Sequence, residues 1–586
     1  MNDLLIYSDF FGDNVGNIIN VANANTHITI NVILLFNLLL IFFYIKSRIF
    51  KNSYLIGLLL FSVLSISPIR IRYSMEWPNH ANWALIILYL TFLLMFLKNP
   101  FSKSFKYPIL AGIFFCVALI TNAYHGVMLV FVSIPLFLYS FYIYRSDILK
   151  KGNLSKVLTN FLVFSVIVSS AIYYQYYLFS KPIQYGDNAP ISVTSLSRSP
   201  SDRFAFSARP WNYLIPDIDH PVFGDLAVRV NFWIWQHPPY YLTEPFFPKE
   251  HTLFLGYTLI ALSIYTIWQT YVKKTITGDQ KFNVTFFLII AVTAFIFSMP
   301  PYIGLNNFKI YFPSHFIYDF LPQFRAYARY GIFVFIGNTI LAVIGLEHLI
   351  SKSFINKSHQ KLKQNLLIIT ISALAIFEFI PGKHLISIEP TPPYEWLREQ
   401  ALLQQEPLKY IEIPSRADYT DHLYTYDANI EIINPYLVTR GDAKLLEDII
   451  LKRENALIPI DLVEREKLFC DLSNKLDVKY LFYHEKELNR QKYVQKFMKT
   501  GVVTPQLKVA MAESWGSPVF GNHVPKTDQD LEKEQITKNM KNFLLYDPKL
   551  KLIKEYTNDE IIASRPNKNF SADKFDTVTV FEINCK

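Results

Sequence analysis

Ten long apolar runs constrain the fold of this chain more than any other feature of its sequence. Most of them approach the roughly 20 residues that an α-helix needs to cross the hydrocarbon core of a bilayer. The second, third and fourth runs are short and could be tilted, broken or partly re-entrant. The pattern predicts a multi-pass α-helical membrane protein with about ten spans. The runs lie at about 27–45, 54–67, 82–97, 107–121, 124–144, 157–180, 252–272, 282–300, 330–350 and 364–381.

Charge separates the chain into two parts at about residue 381. Residues 1–381 contain 28 Lys and Arg and 16 Asp and Glu, whereas the shorter remainder contains 29 and 32. A single globular fold would not segregate its charge in this way, and a hydrophobic content of 51% excludes a disordered chain. We therefore predict a polytopic transmembrane domain over 1–381 and a water-soluble domain over 382–586.

The connections between the runs predict the orientation in the membrane. Alternate connections carry 17 of the 28 cations of the first part and contain only two acidic residues, Asp147 and Asp279. By the positive-inside rule, these five short loops face the cytoplasm of a plasma (inner) membrane. The N-terminus, the long loop 181–251, the 301–329 loop and the C-terminal domain are then expected outside. The 17 cations are Lys46, Arg48, Lys51, Lys98, Lys103, Lys106, Arg145, Lys150, Lys151, Lys156, Lys273, Lys274, Lys281, Lys352, Lys357, Lys361 and Lys363.

Composition argues against several other classes of protein. The excess of lysine and arginine is explained by orientation in the membrane, so it does not predict nucleic-acid binding. Three cysteines, Cys116, Cys470 and Cys585, are too few for a disulfide framework or a cysteine-rich metal site. The C-terminal part has no glycine-rich phosphate loop, which argues against nucleotide binding there.

The C-terminal part alternates short apolar runs with helical patterns. The stretches 443–455, 461–476 and 486–500 carry the apolar spacing of helices. Four runs rich in β-branched and aromatic residues are typical of strands, namely YIEIP (410–414), IEIINPYLV (430–438), VKYLFYH (478–484) and TVTVFEI (577–583). The sequence therefore predicts a mixed α/β fold for this extracytoplasmic domain.

Polar residues without a role in orientation mark candidate sites in the outer loops. They lie in SPIRIRYSMEWPNHANW (67–83), TNAYHG (121–126) and LPQFRAYARYG (321–331). Arg325 and Arg329 are spaced i, i+4 and would share one helix face. Arginines of this kind suit a lipid-linked phosphate, because a guanidinium binds phosphate oxygens bidentately, and anchoring to lipid headgroups is the alternative. The candidates are Arg70, Arg72, Glu76, His80, His125, Arg325 and Arg329.

The long loop contains a second candidate site in RPWNYLIPDIDHPVFGD (209–225). Asp217 and Asp219 form an Asp-x-Asp pair, which can hold a divalent cation through oxygen ligands. A proline-bounded loop is also acidic for ordinary structural reasons. A divalent cation is therefore the single candidate cofactor, and no metal ligands are assigned.

Together these segments resemble the GT-C superfamily of membrane glycosyltransferases, which use polyprenyl-phosphate-linked sugars. The resemblance rests on SPIRIRYSMEWPNHANW, the NAYHG turn, RPWNYLIPDIDHPVFG and LPQFRAYARYGIFVFIG, and on YEWLREQ, YIEIP and DVKYLFYH in the tail. It covers most of the chain as architecture. It implies transfer of a sugar from a polyprenyl-phosphate donor to an extracytoplasmic acceptor, which is a cell-envelope glycan, lipid or protein.

The resemblance also implies roles for individual residues. An outer carboxylate would act on the acceptor, and the candidates are Asp9, Asp13 and Glu76. Arg70, Arg72, Arg325 and Arg329 would bind the lipid phosphate, while His80, His125, Asp217 and Asp219 would bind substrate. Family members begin with a span and a large outer loop that carries the essential acid, whereas this sequence opens in what looks like the tail of that loop. A shortened sequence, a role for Asp9 or Asp13, or an inactive protein would each explain the departure, and we favour the first.

Two other classes of function stay open at this point. The first is a non-catalytic multi-pass protein whose outer domain recruits a partner in the envelope, which the missing first loop favours and the outer arginines disfavour. The second is a lipid or polysaccharide transporter. The span interiors are nearly free of charge, which argues against ion-coupled transport.

Overall fold

The structure of the protein is a computed structural model, and its contacts divide the chain into two compact units. The first is formed mainly by residues up to Gly382, and the second by Lys383–Lys586 with short parts of the long loop. The structure describes residues 83–150, 152–180, 202–218, 220–236, 251–305, 308–321, 326–353, 360–380, 392–404, 408–413, 430–432, 477–484, 548–557 and 577–585, and the single residues 63, 64, 67, 70, 324, 470, 474, 545 and 560.

Helices make up most of the first unit. In the described part of the chain they are α1 (Trp83–Lys98), α2 (Lys106–Thr121), α3 (Ala123–Ile148), α4 (Asn153–Ser180), α5 (Asp202–Ala205), α6 (Gly224–Gln236), α7 (Tyr257–Tyr271), α8 (Gly278–Ser298), α9 (Pro313–Phe320), α10 (Gly331–Ser353) and α11 (Gln360–Glu378). Of α6, the residues up to Asn231 belong to this unit. Two 3-10 turns, Pro210–Tyr213 and Tyr327–Tyr330, lie between them, with an antiparallel ribbon of β1 (Tyr302–Leu305) and β2 (Phe308–Tyr311).

Eight of these helices overlap the third to tenth apolar runs, namely α1 to α4, α7, α8, α10 and α11. The third and fourth runs, which the sequence marks as short, form helices of 16 residues each. Within the described residues, four segments are long and apolar enough to cross a membrane: Ala123–Ile148, Asn153–Tyr177, Gly278–Ser298 and Tyr327–Ser351. The first two runs lie outside the described residues, so the total of ten spans stays a prediction.

Helix α10 forms the centre of the first unit. In its apolar segment 89% of the residues are buried, against 17% in that of α4, which is therefore peripheral. Both α7 and α8 pack against α10. The Thr266 hydroxyl of α7 donates to the Leu341 carbonyl oxygen of α10 at 2.8 Å. Gly345 allows the close approach, because a Cβ there would lie 2.7 Å from the Leu262 carbonyl oxygen.

The described parts of the connections that the sequence predicts on the cytoplasmic side lie together at one end of the helices. Lys98 at the end of α1 forms an ion pair with Asp279 at the start of α8, with 3.5 Å between nitrogen and oxygen. The Tyr144 hydroxyl, near the end of α3, donates to the Lys98 carbonyl oxygen at 2.9 Å. Thr275, before α8, shares a 3.1 Å hydrogen bond with His348 of α10. Alternate connections therefore meet at a common end, as a helical bundle with alternating direction requires.

Among its described residues, the second unit contains a five-stranded mixed sheet and helix α12 (Pro392–Leu402). The strands are β3 (Leu408–Ile413), β4 (Ile430–Ile432), β5 (Val478–His484), β6 (Leu550–Tyr556) and β7 (Val578–Ile583), in the order β4-β3-β5-β7-β6. Strand β3 pairs in parallel with β4 and β5, whereas β7 pairs antiparallel with β5 and β6. Tyr394 and Leu397 of α12 share a buried core with Tyr410, Phe482 and Val580 of the sheet.

All four strands that the sequence predicts are present in this sheet. The sequence does not predict strand β6, because Lys551, Lys554 and Glu555 give LKLIKEY the composition of an exposed segment. It lies at the end of the described strand order, and edge strands commonly carry charged side chains, especially lysine. The predicted helical stretches 443–455, 461–476 and 486–500 lie outside the described residues, apart from Cys470 and Asn474.

A disulfide bond joins Cys470 to Cys585 in the second unit, whereas Cys116 of α2 is a free thiol. Three cysteines cannot build a framework of several bonds, and the cysteine count alone does not predict this single bond. The positions of the two cysteines could have indicated it, since both flank predicted strands of the domain that the lysine distribution predicts outside.

Glu378, at the end of α11, caps the start of α7. Both of its carboxylate oxygens accept from Thr258 N at 3.1 Å, and the Thr258 hydroxyl donates to Oε1 at 2.8 Å. Gly256 precedes α7 with φ +76°, and a Cβ there would lie 2.7 Å from the Phe379 ring. A negative charge at a helix N-terminus is stabilising, so this contact joins two helices that are distant in sequence.

We expect Glu378→Ala to destabilise the protein, because the first N–H groups of α7 lose their acceptor. The loss of a helix cap costs about 1 kcal/mol. The measurement is the temperature of unfolding of the full chain in detergent. Glu378→Gln keeps one acceptor oxygen and should lose less stability. An unchanged unfolding temperature for Glu378→Ala would contradict the capping role.

Candidate functional site

Three segments of the predicted outer loops meet at the helix ends opposite the lysine-rich connections. They are the corner between α2 and α3, the stretch 206–213 and the stretch 324–330. Ala328 N donates to the Phe206 carbonyl oxygen at 2.8 Å, and Ala208 N donates to the Ser298 carbonyl oxygen at 2.8 Å. The Tyr213 hydroxyl donates to Ser298 Oγ at 2.7 Å, and burial raises the pKa of this phenol, which keeps it a donor. These bonds hold the long loop against the end of α8 and against the turn that precedes α10.

His125 is buried at the corner between α2 and α3. Asn122 is extended there, with φ −158° and ψ 107°, and its side chain accepts from His125 N at 3.3 Å as the cap of α3. The His125 residue is 1% exposed. The sequence TNAYHG thus breaks one helix, caps the next and places Tyr124 and His125 on its first turn.

Arg329 lies within an aromatic cluster at this end of the bundle. Its Cζ is 4.6 Å from the Tyr124 ring centroid, and only 8% of the residue is exposed. Tyr124 packs on Phe324 with 4.9 Å between ring centroids. Phe324 also contacts the Tyr327 and Tyr330 rings, at 5.1 and 6.1 Å. We call Tyr124, His125, Phe324, Tyr327, Arg329 and Tyr330 the Arg329 cluster.

Two tyrosine hydroxyls of the Arg329 cluster are buried without a hydrogen-bond partner among the residues that the structure describes. Tyr327 and Tyr330 both have 0% exposure, and neither hydroxyl makes a hydrogen bond there. A buried hydroxyl without a partner is unfavourable, so such positions commonly accommodate water or a bound group. The two hydroxyls are therefore suitable donors for a ligand.

Arg203 brings a second guanidinium to this region. It lies on α5, and its Cζ is 4.5 Å from the ring centroid of Tyr318 on α9. Arg203 is near enough to Tyr327, and Arg329 to His125, for the guanidinium charge to be felt at these side chains. Sequence reasoning missed Arg203. The available signal was an arginine in a loop that should be poor in cations if it lies outside.

This arrangement can bind an anion beside an apolar surface. A guanidinium that stacks on a tyrosine ring keeps its N–H groups at the edge of the stack, where they can contact phosphate oxygens. Arginine suits this role better than lysine because its planar fork matches two oxygens at once. The aromatic rings of the cluster add a surface on which a sugar or an isoprenoid chain can pack.

The other predicted site residues are only partly described. Arg70 is 3% exposed, and burial lowers the pKa of its guanidinium to about 10, which leaves it charged at neutral pH. The structure brings Arg329 and His125 together from different loops. The remaining candidates lie outside the described residues and stay predictions: Asp9, Asp13, Arg72, Glu76, His80, Asp219 and Arg325.

The prediction that Arg325 and Arg329 share one face of an α-helix is wrong. Ala326 has φ −91° and ψ 71°, which is not helical, and Tyr327–Tyr330 forms a 3-10 turn. A tertiary contact explains the difference. Ala328 N donates to the Phe206 carbonyl oxygen in the long loop, and not to a carbonyl oxygen of a preceding helical turn. A turn, not an α-helical repeat, therefore places Arg329.

Asp217 belongs to a turn that attaches the long loop to α11. Asp217, which is 7% exposed, accepts through its carbonyl oxygen from His220 N at 3.0 Å. His220 Nδ1 accepts from Val222 N and Phe223 N at 3.1 and 3.0 Å, so its Nε2 carries the proton and donates to the Phe377 carbonyl oxygen at 2.9 Å. Within the described parts of the chain, no group of three or more His, Cys, Asp or Glu is placed to hold a metal ion.

Comparison with known proteins identifies no family. No family model matches this chain, and no curated protein matches it. The GT-C resemblance is therefore a hypothesis that rests on the architecture and the loop motifs of the sequence.

We expect cysteines at Tyr124 and Phe324 to be bridged by a short bismaleimide, because a ring contact with 4.9 Å between centroids brings the two positions within reach of such a reagent. The pair is introduced into a Cys116→Ser chain, treated with the reagent and detected by peptide mass spectrometry. The matched control pairs Phe324 with Tyr144, which lies on α3 about 30 Å further along at 1.5 Å per residue. Equal cross-linking of both pairs, or none at Tyr124 and Phe324, would show that the two loops do not converge.

Proposed function

We propose that this protein is a membrane glycosyltransferase that moves a sugar from a polyprenyl-phosphate donor to an extracytoplasmic acceptor. The acceptor is a cell-envelope glycan, lipid or protein. The observation that carries the proposal is the Arg329 cluster, where a buried guanidinium and two tyrosine hydroxyls lie at the end of long apolar helices. A lipid-linked phosphate is an anion on an apolar chain, so it matches both the charge and the surroundings of this site.

The location of the cluster favours a lipid-borne donor over a soluble one. Arg329 directly precedes α10, which belongs to a candidate membrane span. A polyprenyl chain would lie in the bilayer while its phosphate reaches the interface. A charged group is costly deeper in the membrane, so the phosphate and its arginine partner are expected at a helix end. A soluble nucleotide sugar would have no need of this position.

The proposed reaction is an inverting transfer in which the acceptor hydroxyl attacks the anomeric carbon as the bond to the lipid phosphate breaks. The lipid phosphate leaves with the bonding electrons, and Arg329 offsets its developing charge. An outer carboxylate, for which Asp9, Asp13 and Glu76 are the candidates, would take the acceptor proton. Because an arginine supplies the positive charge, a divalent cation need not be obligatory.

We expect Arg329→Gln to lower sugar transfer about 100- to 1000-fold, the usual effect of removing one group that stabilises transition-state charge. The assay uses the full chain in detergent, labelled polyprenyl-phosphate sugars and an envelope extract as acceptor. Arg145→Gln is the matched control, because Arg145 also stacks on a tyrosine, Tyr142 at 4.6 Å, but at the opposite end of α3. That variant should keep wild-type activity.

Folding and function can be separated in the same experiment. Arg329→Lys keeps the charge but loses the planar fork, and it should retain partial transfer while eluting as wild type on size-exclusion chromatography. Full activity in Arg329→Gln would contradict the proposed role. Transport of the labelled lipid without sugar transfer would instead support a transporter, and an inert wild-type chain with a bound envelope partner would support a recruiting protein.

We expect opposite labelling of two engineered cysteines if the lysine-rich connections face the cytoplasm. Lys150→Cys lies in one such connection, where the lysine side chain is 67% exposed. Phe320→Cys, where the residue is 84% exposed, lies in a predicted outer loop. A membrane-impermeant maleimide added to intact cells should label position 320 and spare position 150. Labelling of position 150 alone would reverse the orientation and remove the site from the outer face.

A further inference from the structure

Two of the three cysteines of this chain are joined although they are far apart in sequence. Cys470 and Cys585 form a disulfide across a separation of 115 residues, with their Cα atoms 5.3 Å apart. This Cα separation is the usual one for a disulfide. Cys116, in α2 of the first unit, is the remaining thiol.

The bond closes one end of a strand pair in the second unit. Strands β5 and β7 are antiparallel, with Tyr480 opposite Glu582. The start of β5 and the end of β7 therefore lie at the same end of the sheet. Cys470 precedes β5 and Cys585 follows β7, so the disulfide lies where these two strands begin and end.

The disulfide fixes one end of β7. Strand β7 lies between β5 and β6, and five of its six residues are buried. Among the described strands, β6 pairs with β7 alone, so the loss of β7 would detach both. A covalent bond two residues beyond β7 opposes local opening of this strand at that point.

We propose that Cys470 and Cys585 are the substrate of a thiol oxidant outside the cytoplasm, and that the second unit completes its fold there. Disulfides form and persist in oxidising compartments and are rare in the cytosol, where reductants keep thiols reduced. The disulfide depends on neither the lysine distribution nor the proposed sugar transfer. It therefore places the second unit outside on separate grounds, and it requires a partner of the disulfide oxidoreductase class.

The exchange balances with such a partner. The thiolate of one cysteine attacks the disulfide of the oxidant, which forms a mixed disulfide and releases one thiol of the oxidant. The thiolate of the second cysteine then attacks the mixed disulfide and forms the Cys470–Cys585 bond. The two cysteines are oxidised, the disulfide of the oxidant is reduced to a dithiol, and the two protons pass to that dithiol.

The test counts free thiols in the full chain by a maleimide that adds a large mass. Membranes are quenched with acid, and the protein is denatured and tagged with or without prior reduction. We expect one tag without reduction, on Cys116, and three after reduction. Cys470→Ser should give two tags without reduction, because Cys585 is then free. A strain that lacks its extracytoplasmic thiol oxidant should give three tags without reduction in the wild-type chain.

Three tags without reduction in an oxidising strain would overturn the proposal, as would a disulfide-linked dimer in place of the internal bond.

A second experiment tests whether the disulfide stabilises the second unit. The double variant Cys470→Ser, Cys585→Ser should lower the unfolding temperature of the second unit by about 10 °C, given the long loop that the bond closes. Cys116→Ser should leave that temperature unchanged. Sugar transfer is not measured, so a negative result here leaves the glycosyltransferase proposal untouched.

Discussion

The packing of α10 against α7 and α8 is the constraint on which the rest of the first unit depends. Helices in a bilayer gain little from burying apolar surface against each other, so close approach and interhelical hydrogen bonds must hold them. The bond from Thr266 to the Leu341 carbonyl oxygen and the small Gly345 supply both. Because the turn Tyr327–Tyr330 leads directly into α10, the same packing sets where Arg329 lies.

Two arginines of this chain make the same contact with a tyrosine ring but differ in their surroundings, and only one of them forms a candidate site. Arg145 and Arg329 both lie 4.6 Å from a tyrosine ring centroid. Arg145 is exposed at the lysine-rich end of the bundle, where water solvates the charge and a lipid headgroup suffices as partner. Arg329 is almost fully buried among aromatic rings. A guanidinium in such surroundings interacts strongly with an anion because the local dielectric constant is low.

Much of the architecture follows from the sequence because its causes are local. An apolar run of suitable length forms a helix whose backbone groups satisfy one another, and strands such as VKYLFYH are marked by their own residues. Arg329 and His125 could be selected by residue type and predicted side of the membrane. The contact of Arg203 with Tyr318 and the turn at Tyr327–Tyr330 could not, because each depends on a partner far along the chain. Strand β6 could not, because its charged residues give it the composition of an exposed segment.

The amino-acid sequence is sufficient to indicate a membrane protein with a separate charged C-terminal part, and it predicts which helix ends share a side. Hydropathy and charge are sums over neighbouring residues, so they can be evaluated without knowledge of any contact. The stacking of Arg329 on Tyr124 and the bond between Cys470 and Cys585 become visible only in the folded protein. Each of these pairs spans more than 100 residues, and packing, which no local pattern encodes, selects which distant segments meet.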